Sequence, residues 1–264
     1  MSSFEIFGAP FDGTSSFRPG SRFAPQAIRT DFYGLETYSP YQDKDLGDVE
    51  LGGDLELPMG DTAAALAMVE EHTAAILERG HRPAMLGGEH LLTLGVIRAL
   101  HRWKYHNLRV LHFDAHADLR DEYLGVKLSH ATVMRRCWEL LGDGRIYQYG
   151  IRSGERDEFA WGAGRVLTQK FNFNGLGDTV ALLGDEPVYL TLDLDVLEPS
   201  VLPGTGTPEP GGATFHELLA AILALKPLNI VGFDMMELSP HYDRSGVSTA
   251  VACKLLRELL LLFS

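Results

Sequence analysis

The 264-residue chain has only two cysteines, Cys137 and Cys253, far apart and in no CxxC pair. That scarcity excludes a disulfide framework and a thiolate zinc site, and it suits a reducing, cytoplasmic setting. Basic residues are also few: 23 Lys and Arg stand against 36 Asp and Glu, for a formal net charge of -13. Nucleic acids are held mainly by Lys and Arg, so no such partner is expected, whereas a small cation suits this balance. No apolar stretch approaches a membrane span, and the tail Leu259 to Phe263 is far too short, so no membrane partner is expected. The N-terminus lacks a basic segment followed by an apolar one. Nor is there a Pro/Ser-rich linker, a long charge run or an internal repeat, so residues 1–264 are expected to form a single domain.

What the chain does have is a 45% hydrophobic content arranged as short apolar runs, each followed by a longer helical pattern. This is the sequence form of repeated βα units and predicts an α/β fold around a mostly parallel sheet. Strands are expected at Phe4 to Gly8, Pro83 to Leu86, Val110 to Phe113, Ile146 to Gly150, Val188 to Leu192 and Ile230 to Phe233. Their near-continuous apolar character suits strands buried on both faces, with helices on either side. Helices are expected from about Asp61, Leu91, Ala131, Thr214 and Ser248, with Asp61 and Thr214 as N-caps. On the last helix, Lys254, Arg257 and Glu258 share a polar face, opposite Val251, Leu255, Leu259 and Leu262.

Ionisable residues gather just past the C-terminal ends of four of these strands, the edge at which parallel sheets build their sites. The clusters read GGEH, DAHAD, DLD and MMELSP. In LHFDAHADLR, Asp114, His116 and Asp118 occupy every second position, so in an extended chain they project to one side. Asp193 and Asp195 repeat the spacing in VYLTLDLD, on an otherwise apolar strand. Burying unpaired carboxylates costs several kcal/mol each, and clustered like charges raise one another's pKa until a cation neutralises them. With His90 and His116 as nitrogen donors, the inventory is four carboxylates and two imidazoles, which suits a bridged pair of divalent ions. Mn²⁺ fits this oxygen-rich set best, with Co²⁺ or Ni²⁺ as alternatives.

These motifs, with DLDVLEP, PGTGTPEPGG and the opening GAPFDGTSSFRPGSRFAPQAIR, resemble the ureohydrolase family of arginases and agmatinases, in that family's order and over nearly the whole chain. The resemblance implies a three-layer α/β/α fold and two Mn²⁺ per subunit. One would be held by His90, Asp114, Asp118 and Asp193, and the other by Asp114, His116, Asp193 and Asp195. It also implies that His130, in KLSHATVMRR, moves the proton, that Glu237 pairs with a guanidinium, and that the chain forms a trimeric or hexameric homo-oligomer. The expected reaction is hydrolysis of a linear guanidino compound to urea and an amine, with agmatine giving putrescine in polyamine biosynthesis.

Between DAHAD and His130 the loop LRDEYLGVKLSH is acidic and aromatic, through Asp121, Glu122 and Tyr123, where arginases carry a Ser, Thr and Asn-rich loop for the substrate's α-carboxylate and α-amino group. It therefore resembles the agmatinase branch, although Arg120 or Lys127, turned inward, would suit a guanidino acid. Two departures from the family pattern are Glu89 and Glu198, where Asp is usual. Two rival readings are a zinc deacetylase on a related fold, which needs one metal and fewer acids, and a metal-stabilised scaffold without catalysis, which predicts loss of His130 or Glu237.

Overall fold

The computed structural model describes residues 3–264. The six expected strands all form, in places a residue or more longer at their ends: β1 Phe4–Ala9, β4 Arg82–Gly87, β5 Arg109–Phe113, β6 Ile146–Ile151, β8 Pro187–Asp193 and β9 Asn229–Met236. A seventh, β7 Leu167–Lys170, escapes sequence reading because it is a half-exposed edge strand without an apolar run. A two-residue pair, β2 Tyr38–Ser39 and β3 Lys44–Asp45, lies apart from the main sheet.

All seven strands of the main sheet run parallel in the order β1-β4-β9-β8-β5-β6-β7. The chain adds β4 beside β1, leaves a gap for two strands, builds outward through β5, β6 and β7, then returns to fill the gap with β8 and β9. That reversal puts the four strands that carry the polar motifs side by side at the centre, where the crevice of a parallel sheet opens.

Helices cover both faces. On one side pack α1 Ala24–Phe32, α6 Leu176–Leu183, α7 Phe215–Ala224 and α8 Val247–Phe263, around a core including Ile28, Leu190, Ile222 and Leu256. On the other lie α2 Thr62–Glu78, α3 Thr93–Trp103, α4 Val133–Leu141 and α5 Arg156–Gly162, around Leu66, Ile97, Met134 and Tyr189. This is the expected three-layer α/β/α arrangement. Asp61 caps α2 by accepting from Ala64 N at 3.0 Å, and Thr214 forms a capping box with Glu217. Among the described residues, no helix is long and apolar enough to cross a membrane.

The polar face expected on α8 is corrected. Arg257 and Glu258 are 3% and 0% exposed. The β2–β3 segment folds over them: Glu258 Oε2 accepts from Ser39 Oγ at 2.7 Å and Gln42 Nε2 at 2.9 Å, while Arg257 donates to Glu258 and to the carbonyls of Glu36 and Tyr38. Helical spacing registers that these residues are polar, but it does not register a distant segment arriving to satisfy them. Glu258→Ala leaves these buried donors unpaired and is expected to destabilise the fold by about 3 kcal/mol. Thermal unfolding should register this as a drop in midpoint well beyond that of Lys254→Ala on the same helix.

Candidate metal centre and active site

After β4, Gly88 lets the chain pass against the loop that follows β1, since a Cβ there would lie 1.9 Å from the Phe11 carbonyl oxygen. Glu89 fixes that approach, accepting from Thr14 N at 2.7 Å and Thr14 Oγ1 at 2.5 Å. His90 follows, fully buried. β5 leads into Asp114, His116 and Asp118, and β8 ends on Asp193 and a 3-10 turn, Leu194–Val196, that carries Asp195. β9 ends one residue before Glu237. Asp118 and Glu237 both sit in the left-handed region, at φ 54 and φ 64, where non-glycine residues are strained. The strain falls on two side chains that line one cavity.

Three carboxylates converge on a single nitrogen. His90 Nδ1 lies 3.0 Å from Asp114 Oδ2, 3.2 Å from Asp193 Oδ2 and 3.3 Å from Asp118 Oδ2. Yet it is a buried nitrogen with no hydrogen-bond partner. Beside it, His116 Nδ1 lies 3.1 Å from Asp195 Oδ2 and 3.5 Å from Asp114 Oδ1. Donor atoms of His90, His112, Asp114 and Asp118 fall within 4.8 Å of one another, as do those of Asp114, His116 and Asp195, so Asp114 belongs to both sets. Asp193 meets the first set through His90, and its Oδ1 accepts from the backbone of Asp195, in the second set, at 2.9 Å. Closely gathered oxygens around an orphaned imidazole nitrogen fit a divalent cation, which satisfies the nitrogen and neutralises the acids together.

His130 and Glu237 line the same cavity, of about 340 Å³, with His90, His116, Asp118 and Asp193. Glu237 Oε1 accepts from His90 N at 2.7 Å. His130 is steadied by Thr14, whose Oγ1 accepts from His130 N at 3.1 Å. The loop expected to meet the far end of a substrate contributes only in part. Tyr123 lines the cavity and meets His130 edge-to-face at 5.7 Å. Asp121 instead pairs with Arg136 at 2.8 Å, and neither Glu122 nor Lys127 is among the lining residues.

Two contributors escape sequence reading. His112 Nε2 lies 2.7 Å from Asp114 Oδ2, and its Nδ1 meets Gln148 Nε2 at 3.0 Å, so it braces Asp114 from within the sheet. The alternation in LHFDAHAD extends back to His112 and carries the signal. Thr14 has none, since a loop threonine looks alike whether or not it meets Glu89. The two departures from the family pattern acquire roles: Glu89 holds Thr14, and Glu198 Oε2 accepts from Gly211 N at 2.7 Å and Gly212 N at 2.8 Å, tying down the loop beside Asp195.

Burial dominates the titration of these acids except Asp114, where it is outweighed by His112, His116 and His90, which hold the carboxyl well below its usual range. Burial raises Glu237 to about 8, with Glu89 adding repulsion, and Asp118 to about 7, with Asp114 adding repulsion. Glu89 rises to about 7 against the bonds from Thr14, and Asp193 lies well above the usual carboxylate range through burial, Asp195 and Asp114. Burial opposes charge on His90 and His116 too, but the surrounding carboxylates hold both well above the ordinary imidazole value. His130, which forms no ion pair among the described residues, is pushed down by burial to about 4 and is neutral at physiological pH.

Glu89, Asp118 and Glu237 favour their protonated forms in the fold, so the associated stability is present at low pH and is lost as pH rises through about 7 to 8. In chelator, the thermal midpoint is expected to fall between about pH 5 and pH 8. A saturating divalent cation displaces the same protons and should raise the midpoint more at the upper end of that range. Equal stabilisation at both ends would contradict this placement of the charge.

A model of the arginase family matches residues 2–262. The chain is similar to the agmatinase of Bacillus subtilis (strain 168), at 44% identity over 264 residues, covering 98% of this chain and 91% of that one. It is 33% identical over 271 residues to the guanidinobutyrase of Pseudomonas aeruginosa, covering 96% and 84% of the two chains. The crystal structure of the agmatine ureohydrolase of Thermoplasma volcanium superposes with a TM-score of 0.88 at 36% identity, over 99% of this chain and 90% of that one.

Proposed function

The chain belongs to the arginase family, and from that premise we propose that it hydrolyses agmatine to putrescine and urea. The observation that carries the choice of substrate is the charge lining the cavity. Among the described residues, Arg120 is its one arginine or lysine, and it is committed to Glu155 at 2.9 Å and Glu158 at 3.3 Å, stacked over Tyr123. Glu209, in the same wall, has a carboxylate that makes no hydrogen bond or ion pair among the described residues. An uncommitted acid and a committed cation favour a substrate ending in an ammonium over one ending in a carboxylate. This sets agmatine above the guanidino acid that the similarity to a guanidinobutyrase raises as the second reading.

We assign His90, Asp114, Asp118 and Asp193 to one Mn²⁺ and Asp114, His116, Asp193 and Asp195 to the other, with Co²⁺ or Ni²⁺ as substitutes. Such a pair, when bound, activates water for attack on the guanidinium carbon. The side chains do the rest. Glu237, held by the amide of His90, presents a carboxylate to the forked donors of the planar guanidinium and orients it. Cleavage of the C–N bond releases urea and an amine that must leave protonated. His130, neutral at rest and steadied by Thr14, takes up a proton during attack and delivers it to that nitrogen. Residues 1–264 act as one catalytic unit in this reading. It belongs in the cytoplasm, in polyamine biosynthesis, as a trimeric or hexameric homo-oligomer; the two buried free thiols support the reducing setting.

Urea release from agmatine, arginine and guanidinobutyrate by Mn²⁺-loaded protein, with a chelated control, tests the reading. Chelator-sensitive urea from agmatine alone is expected, and urea from guanidinobutyrate alone would overturn the substrate while leaving the class. His130→Asn should retain two metal ions per chain by elemental analysis and lose about 10²- to 10⁴-fold in turnover. Glu237→Gln should raise KM for agmatine as well as lowering kcat, because it removes an ionic contact already made by the bound substrate.

A further inference from the structure

Behind His90, on the side away from the cavity, lies a buried polar chain that the reaction does not use. His90 Nε2 meets Thr191 Oγ1 at 2.8 Å, Thr191 Oγ1 lies 3.4 Å from Thr93 Oγ1, and Thr93 Oγ1 donates to Asp234 Oδ2 at 2.7 Å. Tyr189 OH donates to the same oxygen at 2.7 Å. Thr191 and Asp234 face each other across β8 and β9, and His90, Thr93, Thr191 and Asp234 are at most 1% exposed. Among the described residues this carboxylate forms no ion pair, so its place in the core calls for a reason other than packing.

We propose that Asp234, acting through Thr93 and Thr191, is a positioning residue that fixes the tautomer of His90 and so prepares its Nδ1 to bind a metal ion. Asp234 Oδ2 accepts from both hydroxyls, so Thr93 and Tyr189 point their hydrogens at it and away from Thr191. Thr93 Oγ1 then has only lone pairs to offer Thr191, so the Thr191 hydroxyl donates away from His90. Thr191 Oγ1 is left to accept, and the one donor that reaches it is His90 Nε2–H. With the proton on Nε2, the lone pair of Nδ1 faces Asp114, Asp118 and Asp193, which is the form a metal ion requires. The direction of the whole relay is therefore set by one acceptor-only group at its far end. An amide there would both donate and accept, and the direction would be lost.

The inference rests on His90 being a ligand and not on which guanidine is hydrolysed. Thr191→Val is close to isosteric and breaks the relay, Asp234→Asn removes its fixed direction, and Thr191→Ser restores the hydroxyl. Mn²⁺ affinity, measured by competition against a fluorescent chelator, is expected to weaken by about 10- to 100-fold in the first two and to recover in the third. At saturating Mn²⁺ the kcat should recover in all three. At a pH high enough to leave the metal-free His90 ring with a single proton, its ¹⁵N spectra should report Nε2–H in the unaltered chain and a shift toward Nδ1–H in Thr191→Val. Mn²⁺ affinity within twofold of the unaltered chain for Thr191→Val, with the tautomer unchanged, would overturn the role of Asp234. If His90→Ala also kept full affinity, the fault would lie in the ligand assignment itself. Should Asp234→Asn fail to fold, Thr191→Val and its serine rescue carry the test alone.

Discussion

Buried negative charge at the C-terminal edge of a parallel sheet is the constraint on which the rest of this structure depends. Asp114, Asp118, Asp193 and Asp195 are between 0% and 7% exposed, and Glu89, Asp234 and Glu237 lie close behind them. Among the described residues, the ion pairs these aspartates make are with histidines and not with arginine or lysine. In the metal-free chain, protons and two imidazoles carry that burden, which is why burial shifts so many of these acids toward their neutral forms. Two divalent cations relieve it far more completely, so the fold reads as one built around a charge it does not itself contain. The overall acidic balance and the committed state of Arg120 belong to the same logic, since a free cation in the cavity would compete with the metals for the carboxylates.

The surrounding polar groups serve this cluster by removing its freedom. His112 braces Asp114 from inside β5, Thr207 Oγ1 donates to Asp195 Oδ2 at 3.2 Å, and the Ala115 amide donates to Asp195 Oδ1. Arg152 gathers the carbonyls of Asp195, Leu197 and Glu209, locking the turn after β8 to the glycine-rich loop that walls the cavity. Thr14 joins Glu89 to His130, so the His130 imidazole is held by the segment that packs on the strand end carrying His90. Holding ligands by bonds on their far side fixes their orientation before a metal arrives, and less entropy is then lost on binding.

The sequence alone determined the strand positions, the class of fold and the convergence of His90, Asp114, His116, Asp118, Asp193 and Asp195 on one rim, because each depends on local pattern. Apolar runs mark strands buried on both faces, and an alternation of two puts acids on one side of an extended chain. It missed β7, which has no core face to advertise, and it misread Arg257 and Glu258 as solvated, because a segment more than 200 residues away satisfies them: Ser39 and Gln42 at Glu258, the carbonyls of Glu36 and Tyr38 at Arg257. The tertiary structure decided what depends on meetings between distant segments: the seating of Thr14 against Glu89, the pairing of Asp121 with Arg136 instead of the cavity, and the relay from Asp234 to His90. Hydrogen bonds reach about 3 Å and are blind to sequence separation, so a pattern read along the chain can name the groups that need partners but not which partners they find.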